Sequence, residues 1–229
     1  LLESNKKIVG ISPKILLGYK KNYVWYRGTK IGYNLKFQKN CAEYNGVHLD
    51  RKEFKGLINS DAVCGCASLM RGSALKRSGL SDPDFFYGEE DIDLSFRLKQ
   101  ENELICVDLD EKVYHFVSMT VGRNWAKNIY YNYKYRLLLI KKIGNLSDKF
   151  FGYSVSILKF LLSFLFIFNR YYSSRIFIRF FAIKHFIQSR YGKYDRKNYT
   201  QIDNYFVNFS KNTTLGDILK FIFYKKKKS

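Results

Sequence analysis

Along the first 125 residues, short apolar runs alternate with polar, glycine-punctuated text; beyond Trp125 the apolar runs lengthen and become aromatic. Lys7–Ile11 reads as a short strand closed by Pro13, and Val24–Tyr26 as another apolar piece before Gly28. From Gly28 to Leu57 the pattern predicts a long irregular region. Ala62–Leu69 (AVCGCASL) is small and apolar, a stretch where a ligand or another segment can approach the backbone closely. Gly72–Arg77 predicts a short helix ended at Gly79. A turn over Ser81–Gly88 leads into a helix ending near Leu98. In that helix Leu94 and Leu98 share a face, and Asp93 can pair with Arg97 one turn on. Leu104–Val107 and Lys112–Phe116 predict two further strands.

The later half reads differently. Asn128–Ile140 predicts a helix rich in Tyr and Leu, with Lys127, Lys134 and Lys141 seven apart on one stripe. Phe150–Phe168 is strongly apolar, Ser173–Arg190 predicts a basic, aromatic helix, and Lys225–Lys228 is a basic tail. The expected fold class is therefore α/β, a mixed sheet with helices over residues 1–125, followed by a mostly α-helical region over 126–229. Phe150–Phe168 approaches the roughly 20 apolar residues of a spanning helix. Lys159 sits near its middle, and basic residues flank both ends, so no inside-positive asymmetry results. An interfacial helix held by anionic lipid suits this pattern better; a true span and an ordinary buried core helix are the alternatives.

Charge narrows the partners. The 229 residues carry 40 Lys and Arg against 20 Asp and Glu, a formal net charge of +20. Such a chain is drawn to polyanions: nucleic acid, an anionic membrane surface or diphosphate-bearing substrates. Nucleic acid fits poorly, because the apolar runs are long and no nucleic-acid module pattern occurs. Cys41, Cys64, Cys66 and Cys106 contain no C-x-x-C pair, so the expectation is buried free thiols in a reducing compartment rather than structural zinc. The first residues show no initiator Met and no signal peptide, and the chain reads as beginning inside a domain.

Within this basic chain Glu89, Glu90, Asp91 and Asp93 crowd together. Like charges this close push at least one carboxyl pKa up. Two readings follow: a general base with supporting carboxylates, or acids favoured at a helix N-terminus by the macrodipole.

The surrounding text resembles family 2 glycosyltransferases, especially rhamnosyltransferase-like and galactofuranosyltransferase-like members. The matching residues are Gly65–Arg71 (GCASLMR), Gly79–Phe86 (GLSDPDFF), Glu90-Asp91-Ile92-Asp93-Leu94, Arg97 and Val113-Tyr114-His115. The opening Val9–Lys14 (VGISPK), the Trp25–Gly28 segment and the later Arg179–Lys193 text are also similar. The resemblance implies the acceptor side of an inverting GT-A enzyme, with the nucleotide-binding half lying upstream of Leu1. It implies Asp91 as the base that deprotonates the acceptor hydroxyl, with Glu90 orienting the loop. Gly65, Asp82, Asp93 and Arg97 become substrate-side candidates, although Asp82 also suits a turn and Asp93–Arg97 a helix-stabilising pair. His115 matches a position that binds a divalent cation, Mg²⁺ or Mn²⁺, in some members; a locally hydrogen-bonded strand histidine is the other reading. The implied partners are a nucleotide-sugar donor, a glycan or lipid-linked acceptor of envelope polysaccharide synthesis, and the cytoplasmic face of the membrane. Asp108-Leu109-Asp110 mimics a metal-binding D-x-D but stands in the wrong order for the family, and reads as a strand-end turn. The competing class is a non-catalytic polyanion- or membrane-binding fragment.

Overall fold

The computed structural model describes residues 1–31, 38–40, 48–116, 125–193 and 215–216. It is a mixed α/β structure that divides into two compact units. The first comprises Leu1–Pro83, Glu89–Gly122 and Ile143–Asp148; the second comprises Asp84–Gly88, Arg123–Lys142 and Lys149–Ser229. The change of character expected after residue 125 thus falls beside a unit boundary, but two short segments are exchanged across it.

The first unit is built on two long strands, β1 (Ile8–Leu17) and β8 (Leu104–His115), paired in parallel. Around them the sheet runs β5 (His48–Leu49), β2 (Lys20–Tyr26), β1, β8, β6 (Leu57–Ser60), with β7 (Leu69–Met70) also on β1. β3 (Thr29–Ile31) and β4 (Gln38–Asn40) form a separate antiparallel pair. β1 is buried along nearly its whole length, as a strand enclosed on both faces should be. Val9, Val63, Ala74, Leu98 and Ile105 form one core cluster, and Ile15, Tyr26, Cys64, Val107 and Leu109 another.

Three sequence expectations are corrected here. Pro13 does not close the first strand. The register between β1 and β8 shifts between Pro13 and Lys14, opposite the interval from Asp108 to Lys112, and such an irregularity tolerates a residue without an N–H. The two strands expected at Leu104–Val107 and Lys112–Phe116 are one. Asp108-Leu109-Asp110 is accordingly an irregular stretch inside β8 and not a strand-end turn. There Asp108 accepts a hydrogen bond from the Asp110 N–H (3.1 Å), and Asp110 accepts one from the Gly56 N–H (3.1 Å).

Two short helices cover part of this unit. α1 (Gly72–Ser78) ends at Gly79, whose φ of 77° is costly for any residue with a Cβ. α2 (Glu90–Leu98) buries Ile92, Leu94 and Leu98, the face its sequence periodicity predicts. Arg71, at the start of α1, donates to the carbonyls of Leu2, Asn5 and Ile8 and so ties the N-terminal residues down.

The second unit is helical. It holds most of α3 (Trp125–Ile143), most of α4 (Leu146–Ser163) with a one-turn 3₁₀ extension over Phe164–Phe166, and α5 (Arg170–Ile187). α4 opens on a reciprocal cap: Asn145 accepts the Asp148 backbone N–H at 2.8 Å and Asp148 accepts the Asn145 backbone N–H at 3.1 Å. Gly152 lets α4 approach α3, since a Cβ there would lie 2.8 Å from Ile140 Cδ1, and Tyr133 donates to the Ser156 carbonyl at 2.7 Å.

One lysine of the α3 stripe is withdrawn from solvent. Lys134 is fully buried, with its ammonium 4.8, 5.4 and 4.9 Å from the rings of Tyr130, Tyr131 and Tyr135. It donates to the carbonyls of Arg190 and Gly192 at 3.2 and 3.3 Å. Loss of hydration pulls its pKa down to about 7, against the pull of Asp84. The rings and carbonyls favour the cation and partly offset that loss.

Candidate active site

The acidic segment and the small-residue segment meet in the first unit. Gly65 and Asp91 are 26 residues apart, yet the Gly65 N–H donates to Asp91 Oδ2 at 3.1 Å. Asp91 Oδ1 accepts the Ile92 N–H at 2.9 Å. A Cβ on Gly65 would lie 3.3 Å from Asp91 Cβ, tight enough that the carboxylate would have to shift. The small side chain expected at this position is therefore used to bring the backbone against Asp91.

Asp91 lies in the first turn of α2, where the unpaired N–H groups and the macrodipole favour an anion. Burial nevertheless wins: loss of hydration raises its pKa, and the N–H groups of Gly65, Ile92 and Asp91 itself only moderate the rise. A raised pKa makes the ionised carboxylate a stronger base. Glu90 is half-buried beside it. Glu89 precedes the helix at φ 68°, a left-handed conformation that a non-glycine residue adopts at a cost.

Three residues not singled out from the sequence hold this arrangement. Ser95 donates to the Asp91 carbonyl (2.6 Å) and accepts the Val63 N–H (3.1 Å). Ser12 accepts the Cys64 N–H (2.9 Å), and Tyr26 donates to the Ala62 carbonyl (2.9 Å). The segment beside Asp91 is thus pinned from β1, β2 and α2. Ser95 was within reach of sequence reasoning, standing four residues after Asp91 on the same helix face. Ser12 and Tyr26 gave no such signal.

Cys64 and Cys66 flank Gly65 with their sulfurs 3.5 Å apart. Cys64 and Cys106 are buried, as expected of the thiols, but Cys66 is exposed; Cys41 lies outside the described residues. The Cys64–Cys66 hydrogen bond, reinforced by burial, pushes the Cys64 thiol up, and the same bond draws Cys66 down against the effect of burial. Cys66 should therefore be alkylated by iodoacetamide at least about tenfold faster than Cys64, a ratio readable by peptide mass spectrometry.

Asp93 and Arg97 form the helix-stabilising pair that is the other reading of these two residues. Asp93 is 1% exposed and its Oδ2 takes the Arg97 guanidinium at 2.9 Å. Arg97 also donates to the Ser78 and Leu80 carbonyls at 2.7 and 3.0 Å, locking the loop after α1 onto α2. Replacing Arg97 with Met strands a buried carboxylate. Because Arg97 is partly exposed, the expected loss of stability is about 3 kcal/mol, the low end for a broken buried pair, measurable by urea denaturation.

Asp82 is half-buried in the loop between α1 and α2, just before the turn at Pro83. His115 ends β8 with its ring centroid 4.7 Å from that of Trp25. Among the described residues no group of three His, Cys, Asp or Glu side chains converges as a metal shell. His115 is thus a strand-end histidine packed on an indole.

Compared with known proteins, the chain matches no family model and no curated protein.

Proposed function

We propose that the chain forms the acceptor side of an inverting, family 2-like glycosyltransferase of partial GT-A fold, with Asp91 as general base. The observation that carries this reading is the Asp91 carboxylate itself: half-buried, raised in pKa, and oriented by the backbone of a segment 26 residues away. A hydroxyl of a glycan or lipid-linked acceptor delivers its proton to Asp91 as its oxygen attacks the anomeric carbon of a nucleotide sugar. The nucleoside diphosphate departs from the opposite face and the configuration inverts. Glu90 and the left-handed Glu89 shape the approach to the carboxylate, and Gly65 fixes its orientation. The divalent cation implied by the resemblance has no fitting ligand set among the described residues, so no step is routed through it.

Transfer of labelled sugar into polysaccharide or lipid-extractable material, comparing wild-type and Asp91→Asn in the complete native polypeptide, tests the proposal. The competing reading, a non-catalytic membrane-binding fragment, draws on α4. The helix Leu146–Phe166 is long and apolar enough to cross a membrane, and only 11% of its apolar window is buried. Membrane contact through α4 also suits the transferase reading if the acceptor is lipid-linked. We place the chain peripherally on the cytoplasmic face of the membrane, with α4 against anionic lipid.

A further inference from the structure

The first unit holds a second polar site, built on β1, β8 and the loop before β6. A pocket of about 330 Å³ is lined by Lys14, Arg51, Lys52, Lys55 and Lys112, together with Asp50, Asp110, Phe54 and Leu109. Five cationic side chains face two carboxylates, leaving an excess of three positive charges.

The floor is preorganised. Lys14 is 2% exposed, an unusual position for a lysine on a central strand. Its Nζ donates to Asp50 Oδ1 (2.8 Å) and to the Phe54 carbonyl (3.0 Å). An ammonium has three protons to donate, so one is left beyond these two bonds. Lys112 takes the other Asp50 oxygen at 2.7 Å. Asp50 therefore acts as a clamp that fixes two ammonium groups side by side. Burial alone would raise its pKa, but the bonds from Lys112 and Lys14 hold it below the usual carboxylate range. Arg51, Lys52 and Lys55 add exposed cations at the rim.

Two ammonium groups held on one carboxylate, with three exposed cations at the rim, match an anion that carries several oxygens. The volume lies at the small end of ligand pockets and suits a compact head group.

We infer that the pocket between Lys14, Lys112 and Arg51–Lys55 binds the diphosphate of a substrate. This site is separate from Asp91 and does not depend on Asp91 being a base. Two substrates could bring a diphosphate, the nucleotide donor or an isoprenyl-type lipid carrier, and the pocket chemistry is common to both.

Isothermal titration of the full chain in non-ionic detergent with inorganic pyrophosphate tests the inference. Wild-type is compared with Lys52→Gln/Lys55→Gln and with Lys6→Gln/Lys7→Gln. The second pair removes the same charge from exposed positions of the same unit outside the pocket. Both pairs are exposed, so neither variant threatens the fold. The expected result is saturable binding that weakens about tenfold or more in the pocket variant, the worth of one charge-assisted hydrogen bond, and less than about threefold in the control. Equal weakening in both variants, or no saturable binding, overturns the inference. Displacement by uridine diphosphate but not by a soluble isoprenyl diphosphate assigns the site to the donor, and the reverse assigns it to the lipid acceptor. Displacement by both supports a diphosphate reader indifferent to the rest, and displacement by neither overturns it. Asp91→Asn leaves every one of these titrations unchanged, so failure of the transferase reading and failure of this one are separately visible.

Discussion

Asp91→Asn is expected to lower sugar transfer by about 10²–10⁴-fold, the usual contribution of a positioned general base, without unfolding the protein. Asn keeps an oxygen that can accept the Gly65 N–H and loses the basicity. The linkage sign supports this separation. Burial raises the folded pKa of Asp91 above its unfolded value. The stability associated with the neutral acid is then fully present below the unfolded pKa and is lost as pH rises through the folded pKa. At neutral pH the wild-type carries that cost and the neutral amide does not. The denaturation midpoint of Asp91→Asn should therefore equal or exceed that of wild-type at pH 7, while activity collapses. On the proposed function, the acid limb of the wild-type rate profile should report the same raised pKa, with transfer increasing as pH rises through it. Unchanged transfer in the variant would sink the general-base assignment. Lost transfer together with a lowered midpoint would make Asp91 a structural residue.

Changing Leu158, Leu161, Leu162 and Leu165 together to Ser is expected to release the protein from membranes. The four stand at helical spacing in and just beyond α4 and are 55%, 56%, 49% and 75% exposed. Among the described residues nothing buries them, unlike the side chains of a core helix. Each leucine fully inserted into an apolar phase contributes roughly 1.5–3 kcal/mol, so removing four shifts partitioning by several orders of magnitude. Folding should suffer little, because all four leucine side chains are exposed. Vesicle sedimentation of the variant measures the loss. Retention by anionic vesicles at both low and high salt would refute the apolar contact; retention only at low salt would shift the attachment to basic side chains. Carbonate extraction of wild-type membranes separates the two modes of insertion. A chain released by alkali lies in the interface, and one that remains in the pellet spans.

Much of this was legible in the one-dimensional text. The period of Leu94 and Leu98, the glycine stop at Gly79, the Asp93–Arg97 pair and the apolar length after Phe150 follow from spacing alone, because helix geometry repeats locally. The acidic knot announced itself as an oddity in a basic chain. Long-range matters were not legible. That β1 runs through Pro13 depends on where the register with β8 slips, and pairing register is set by two segments some 95 positions apart rather than by either one. For the same reason Asp108-Leu109-Asp110 reads as a turn in sequence and lies within a strand in the fold.

The sequence by itself determined the class of structure, the succession of helices, the excess of positive charge and the crowding of carboxylates around Asp91. The tertiary structure decided which of those charges matter. It buried Lys134 among three tyrosines and Lys14 against Asp50. It consumed Asp93 in an ion pair while leaving Asp91, two residues away, oriented by Gly65. The physical reason is that hydration and hydrogen-bond partners, which fix the energy of a charge, depend on distant segments that folding brings together.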